Sequence, residues 1–225
     1  MDHYVDRYYL ENAAEKQFFH DHLATLVASA ARFEGMTLGA GKVARILSTG
    51  SFAGILPADI EIVLHLKHAF EYITTLDKLT FDAILRVNEL IQGAAKADAG
   101  RIRTDIVTVG LTNDTYVPPI PVEKTEREFF SSLMSADMSA TQQAIKLMLH
   151  ISRSQWFADG NKRTALVVAN AIMLTKGAGL LAIPENKMHW YLSQLQKFYL
   201  TGRQSAIERW LYEEAIFGIA NDATE

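Results

Sequence analysis

The chain has 225 residues, 49% of them hydrophobic and 21% charged, with no cysteine and a net charge of −4. This composition excludes a disordered or collagen-like chain and leaves room for one or two domains with a sizeable core. The absence of cysteine excludes disulfides, thiolate zinc sites and a cysteine nucleophile, and the mildly acidic balance argues against nucleic acid as a partner, because that needs clustered positive charge.

The first residues, Met1-Asp2-His3-Tyr4-Val5-Asp6-Arg7, are partly acidic and contain no apolar stretch, so no signal peptide is expected. Helical spacing then dominates. Over 6–30, Tyr9, Leu10, Ala13, Phe18, Leu23, Leu26 and Val27 recur at three- and four-residue intervals, and Gly35 breaks that helix. Gly39-Ala40-Gly41 is expected to turn, and 42–47 to form one short helix ending near Gly50. Pro57 opens a further helix, since proline is favoured in a first turn. Thr80 caps the next, over 81–91, and 93–100 is small and polar, a loop.

One stretch differs. Residues 105–111 are rich in β-branched side chains, Asn113-Asp114 supplies a turn, and Tyr116-Val117 can pair back before Pro118-Pro119. A lone hairpin is marginal, so it must pack on the helices, and its outer edge is free to accept another strand. Helices resume over 122–134, 141–154, 161–176, 185–200 and 204–219, with a frayed tail expected at 221–225. The most apolar run, 165–174, falls well short of the roughly 20 residues that span a membrane. The expectation is an all-α, cytoplasmic protein with one hairpin. It is expected to be one domain over 1–225: N-terminal helices over 1–55, a core over 56–200 and a C-terminal helix over 204–219.

The chemistry concentrates in Ser154-Gln155-Trp156-Phe157-Ala158-Asp159-Gly160-Asn161-Lys162-Arg163, between two helical patterns. Asp159 offers a hard oxygen to Mg²⁺, which usually takes one or two protein carboxylates plus substrate phosphates. Gly160 lets the backbone approach closely. Asn161, Lys162 and Arg163 stand where the next helix begins, and free N–H groups there attract anions. Arg163 adds a planar, permanently charged fork, and Phe157 reads as an apolar anchor. On composition alone, a plain capped turn between two helices is as good a reading.

This stretch resembles the signature of the Fic family (the Fic/Doc superfamily), His-x-Phe-x-Asp/Glu-Gly-Asn-Gly/Lys-Arg. Phe157, Asp159, Gly160, Asn161, Lys162 and Arg163 match it. Val107-Thr108-Val109-Gly110-Leu111 followed by Pro118-Pro119 is similar to the family's flap hairpin, and Phe33-Glu34-Gly35-Met36-Thr37-Leu38 to its N-terminal inhibitory region. The resemblance implies a Fic-type helical bundle that binds ATP with Mg and transfers AMP to a hydroxyl of a target protein. It implies Asp159 as the Mg ligand, and Gly160, Asn161, Lys162 and Arg163 as the anion hole. The flap, with Val107, Val109, Gly110 and Leu111, would pair with the target as an added strand. Glu34 would be the inhibitory residue. The target stays unnamed, and the oligomeric state is open, a homodimer among the options.

The sequence departs from the family pattern at three places. Gln155 stands at the position of the motif His, the family's general base, and a Gln amide cannot take up a proton. A positioned base is worth about 10²–10⁴ in rate, so impaired transfer is expected. Leu166 stands where many members carry a second Arg. Ala30 replaces the Ser/Thr of the inhibitory pattern, with Ser29 adjacent. The alternatives are a non-catalytic nucleotide- or partner-binding protein, and a phosphate-group hydrolase using Asp159 and its metal. Elsewhere His150 reads as a polar position on the preceding helix, and His65 and His68 as a solvated face. Trp190, Tyr191, Phe198 and Tyr199 read as core.

Overall fold

The structure is a computed structural model that describes residues 4–219. Its first half is four helices: α1 (Asn12–Ala31), α2 (Ala40–Thr49), α3 (Pro57–Ile73) and α4 (Phe81–Gln92). A short hairpin follows, β1 (Val109–Gly110) and β2 (Thr115–Tyr116), then α5 (Glu123–Ser135), α6 (Ala140–Ser154) and α7 (Asn161–Lys176). The chain ends with β3 (Leu180–Leu181), α8 (Met188–Thr201), α9 (Ser205–Trp210) and β4 (Ile216–Phe217).

α7 is apolar on nearly every side, and from Thr164 to Leu174 all its side chains are buried. A helix of that kind belongs at a centre. α6 packs along it, and α1, α3 and α4 cover its other faces. The expected Thr80 cap forms, accepting from the Ala83 N–H at 3.1 Å, and Ser139, not marked in advance, caps α6 by accepting from the Gln142 N–H at 3.0 Å. The hairpin is the expected one but short, with Val109 opposite Tyr116 and Gly110 opposite Thr115. Among the described residues no helix is long and apolar enough to cross a membrane.

Four expectations need correction. Residues 4–11 form no helix, and α1 begins only at Asn12. Tertiary bonds outcompete helix propensity there. Asp6 caps α6 by accepting from the N–H groups of Ala140 (3.1 Å) and Thr141 (2.7 Å). The Leu10 N–H bonds the Gly177 carbonyl at 2.9 Å. Second, the helix expected over 204–219 stops early. α9 widens into a π turn over Leu211–Ala215, and β4 then pairs antiparallel with β3, a strand the apolar spacing did not mark. Asn170 on α7 fixes β3 by bonding both the N–H (2.9 Å) and the carbonyl (2.8 Å) of Leu181. Third, the short helix expected over 42–47 runs from Ala40 to Thr49, so Gly39-Ala40-Gly41 is its start and not a turn. Fourth, Tyr191, Phe198 and Tyr199 are core, but Trp190 is 39% exposed beside Trp210. The expected tail at 221–225 lies outside the described residues.

Candidate functional site

The site is built where α6 ends and α7 begins. Gln155 is the residue after α6 and has φ of 49°, the one non-glycine residue in the left-handed region among the described residues. That turn reverses the chain and sends Trp156 and Phe157 fully into the core. Asn161 ties the loop shut. Its Oδ1 accepts from the Phe157 N–H at 2.9 Å, and its Nδ2 donates to the Phe157 carbonyl at 2.8 Å. The Gln155 amide is engaged at both ends. Its Nε2 donates to the Ser152 carbonyl at 2.6 Å, and its Oε1 accepts from Asn161 Nδ2 at 3.0 Å.

Gly160 precedes α7 at φ +77°, and a Cβ there would lie 2.3 Å from Gln92 Nε2. Only glycine fits that turn. It exposes the first N–H groups of α7, those of Asn161, Lys162 and Arg163, which have no carbonyl a turn behind them to bond. They and the helix dipole favour an anion.

Asp159 stands half exposed beside this helix start. Its Oδ1 accepts from the Gly160 N–H at 2.6 Å and lies 3.4 Å from Arg163 Nη2, while Lys96 Nζ is 3.5 Å from Oδ2. Burial works to raise its pKa, but Arg163, the Gly160 N–H and Lys96 hold it below the usual carboxylate range. Burial pulls the Lys162 ammonium below its ordinary value, with Glu34 opposing that shift. Arg163 itself is only 4% exposed. Its Nε forms an ion pair with Glu34 Oε1 at 2.7 Å, off the line of a good hydrogen bond.

A cleft of about 280 Å³ opens over these groups. Glu34 forms one wall, Val107 to Gly110 of the flap another, and Gln155 with Asp159 to Lys162 the floor. The structure thus gathers most of the residues the sequence singled out. Three stand apart: Phe157 lies beneath in the core, Arg163 beneath Glu34, and Leu111 bonds Asp114 in the hairpin turn. His150 is not at the cleft. It pairs with Glu126 at 2.7 Å and stacks on Phe129 at 3.6 Å. Ser29, next to the expected inhibitory hydroxyl, is fully buried and accepts from the Ile183 N–H at 2.8 Å. Among the described residues no cluster of three or more histidine or acidic side chains is placed to hold a metal. A cation at Asp159 would therefore need further oxygens from its ligand.

The sequence reading missed the support behind the loop. Asn88 on α4 donates to the Asp159 carbonyl (3.0 Å) and to Thr164 Oγ1 (3.1 Å), and Lys96 is steered by Gln92 Oε1 at 2.7 Å. A signal existed, because Asn88 and Gln92 sit four apart in the buried stripe of α4.

Residues 78–173 match the model of the Fic/DOC family. The chain is similar to a Fic-domain-containing signaling protein from Bacteroides thetaiotaomicron VPI-5482, with TM-score 0.72, 18% identity, and coverage of 88% of this chain and 80% of that one. Fic-1 from C. elegans superposes with TM-score 0.74 at 21% identity over 91% of this chain, which spans 63% of that one. A Fic family protein from Desulfovibrio desulfuricans G20 gives 0.72 at 14%, covering 89% and 69%. These likenesses give the fold, and the family match covers the helices that build the cleft. Residues 78–173 thus form a segment that matches the Fic/DOC family, set in a fold shared with Fic-domain proteins.

Proposed function

We propose that the cleft binds ATP as its Mg complex, and that the protein is of the adenylyltransferase type with its transfer step impaired. One observation carries this reading: a half-exposed carboxylate, a free helix N-terminus and Lys162 converge on one cleft beneath the flap, with Arg163 behind Glu34. The α7 N–H groups and Lys162 would hold phosphate oxygens, and Arg163 would join them once free of Glu34. Asp159 suits Mg²⁺, which accepts a single protein carboxylate when phosphates supply other ligands. Bound there, the cation would neutralise phosphate charge.

In the family reaction, a target hydroxyl attacks the α-phosphorus and pyrophosphate leaves. A base must remove the hydroxyl proton. Gln155 cannot do this, and its amide is already tied to Ser152 and Asn161. A second reading is a non-catalytic nucleotide binder, favoured by that same engaged amide. A third is a phosphate-group hydrolase, for which Glu34 and Asp159 are carboxylates at the cleft. The free edge of the flap would take an extended target segment.

Calorimetric titration with ATP and Mg²⁺ tests the shared step. The native chain is expected to bind, and Arg163→Ala to bind at least tenfold more weakly, the loss of one charged contact. No heat of binding in the native chain would remove all nucleotide readings together.

A further inference from the structure

The flap is held by more than its ladder. Two residues on each side pair, and a hairpin that short does not hold alone. At its tip, the N–H and the hydroxyl of Thr112 both donate to Gln196 Oε1 at 3.1 Å. On its flank, Tyr116 stacks on Tyr199 at 5.2 Å.

At its base sits one guanidinium, that of Arg103, which is 5% exposed. Its Nη1 donates to the Asp105 carbonyl and its Nη2 to the Pro119 carbonyl, each at 2.6 Å. These are the two ends of the flap. Its Nε donates to the Gln155 carbonyl at 2.6 Å, and Ser154 O is 3.4 Å from Nη2. The Arg103 backbone N–H completes the set on the Trp156 carbonyl at 2.9 Å. A cation is favoured here, because these carbonyls close the C-terminal end of α6. The planar fork matters as much as the charge. An ammonium has donors enough but cannot reach carbonyls spread over this arc.

We propose that Arg103 is a positioning residue that fixes the flap as the wall of the cleft and couples its position to the Gln155 turn. A strand added to the flap would then be felt at the floor of the cleft through one side chain. The expected loss of ligand affinity rests on the nucleotide reading; the effect on the flap does not.

Hydrogen exchange read by mass spectrometry on the full chain tests this, comparing native with Arg103→Lys. The variant is expected to keep its exchange protection in α7 and α4. Peptides covering 105–119 should exchange about tenfold faster, and ATP·Mg should bind about tenfold more weakly. Native-like flap exchange in the folded variant overturns the proposal, as does loosening of flap and α7 by the same factor. Should the variant not fold, the native chain decides by NMR. The Arg103 Nε–H is expected to be protected from solvent, and exchange as fast as a surface arginine overturns the proposal. A native chain that ignores ATP·Mg would refute the nucleotide reading while leaving the exchange comparison intact.

Discussion

At the scale of single residues, the cleft is a balance of charge. Lys162, Arg163 and Lys96 face two carboxylates, Glu34 and Asp159. The Glu34–Arg163 pair is the closest of these contacts, with Arg163 buried and Glu34 partly so. Removing one partner of a pair in that setting costs more than at the surface, because it leaves a buried charge uncompensated. Glu34 therefore competes with any anion for Arg163. Glu34→Ala is expected to raise ATP·Mg affinity about tenfold, the factor for 1.4 kcal/mol. A fluorescence titration with labelled nucleotide measures it, and unchanged or weaker binding would show that Glu34 does not compete. Much of this was legible in the sequence, since Asp159 to Arg163 carry their chemistry in their names. The Glu34–Arg163 contact was not. The two residues lie far apart in the chain, and only the fold brings Arg163 to Glu34.

At the scale of elements, apolar spacing marked the helices well because each buries one stripe or, for α7, every side. It failed where bonds to distant residues override local preference. Residues 4–11 have helical spacing but serve α6 and the end of α7 instead. β3 and β4 are only two residues each, too short to show an alternating pattern. Arg103 left no trace in the sequence, because its role needs the flap, α6 and the loop assembled. The first turn of α1 holds one more such feature. Glu15 is fully buried, and burial raises its pKa to about 7, with the Gly179 N–H pulling weakly the other way. The ordinary value for glutamate, 4.5, serves for the unfolded chain. The folded state thus holds the proton more tightly. This contribution to stability is full below pH 4.5 and is lost as pH rises through 7. Glu15→Gln is expected to be more stable than native at pH 8, by roughly 3 kcal/mol at most. Urea unfolding at pH 5 and 8 checks this; equal pH slopes for the two proteins would contradict it.

At the scale of the whole molecule, the fold serves to hold one turn. α7 runs through the centre, α6 delivers the chain to it, and α4 props the loop from behind. The flap and Glu34 both line the cleft. Such a frame mounts the loop on rigid elements and supports it from behind. The central proposal is that the cleft binds a nucleotide but lacks a base. Gln155→His tests it most directly. The left-handed backbone at φ 49° suits His, which is enriched in that region. AMP transfer from labelled ATP to protein, native against Gln155→His, is the measurement. The native chain is predicted to transfer little, and the variant at least a hundredfold more, the low end for a positioned base. Robust and equal transfer by both would contradict the account.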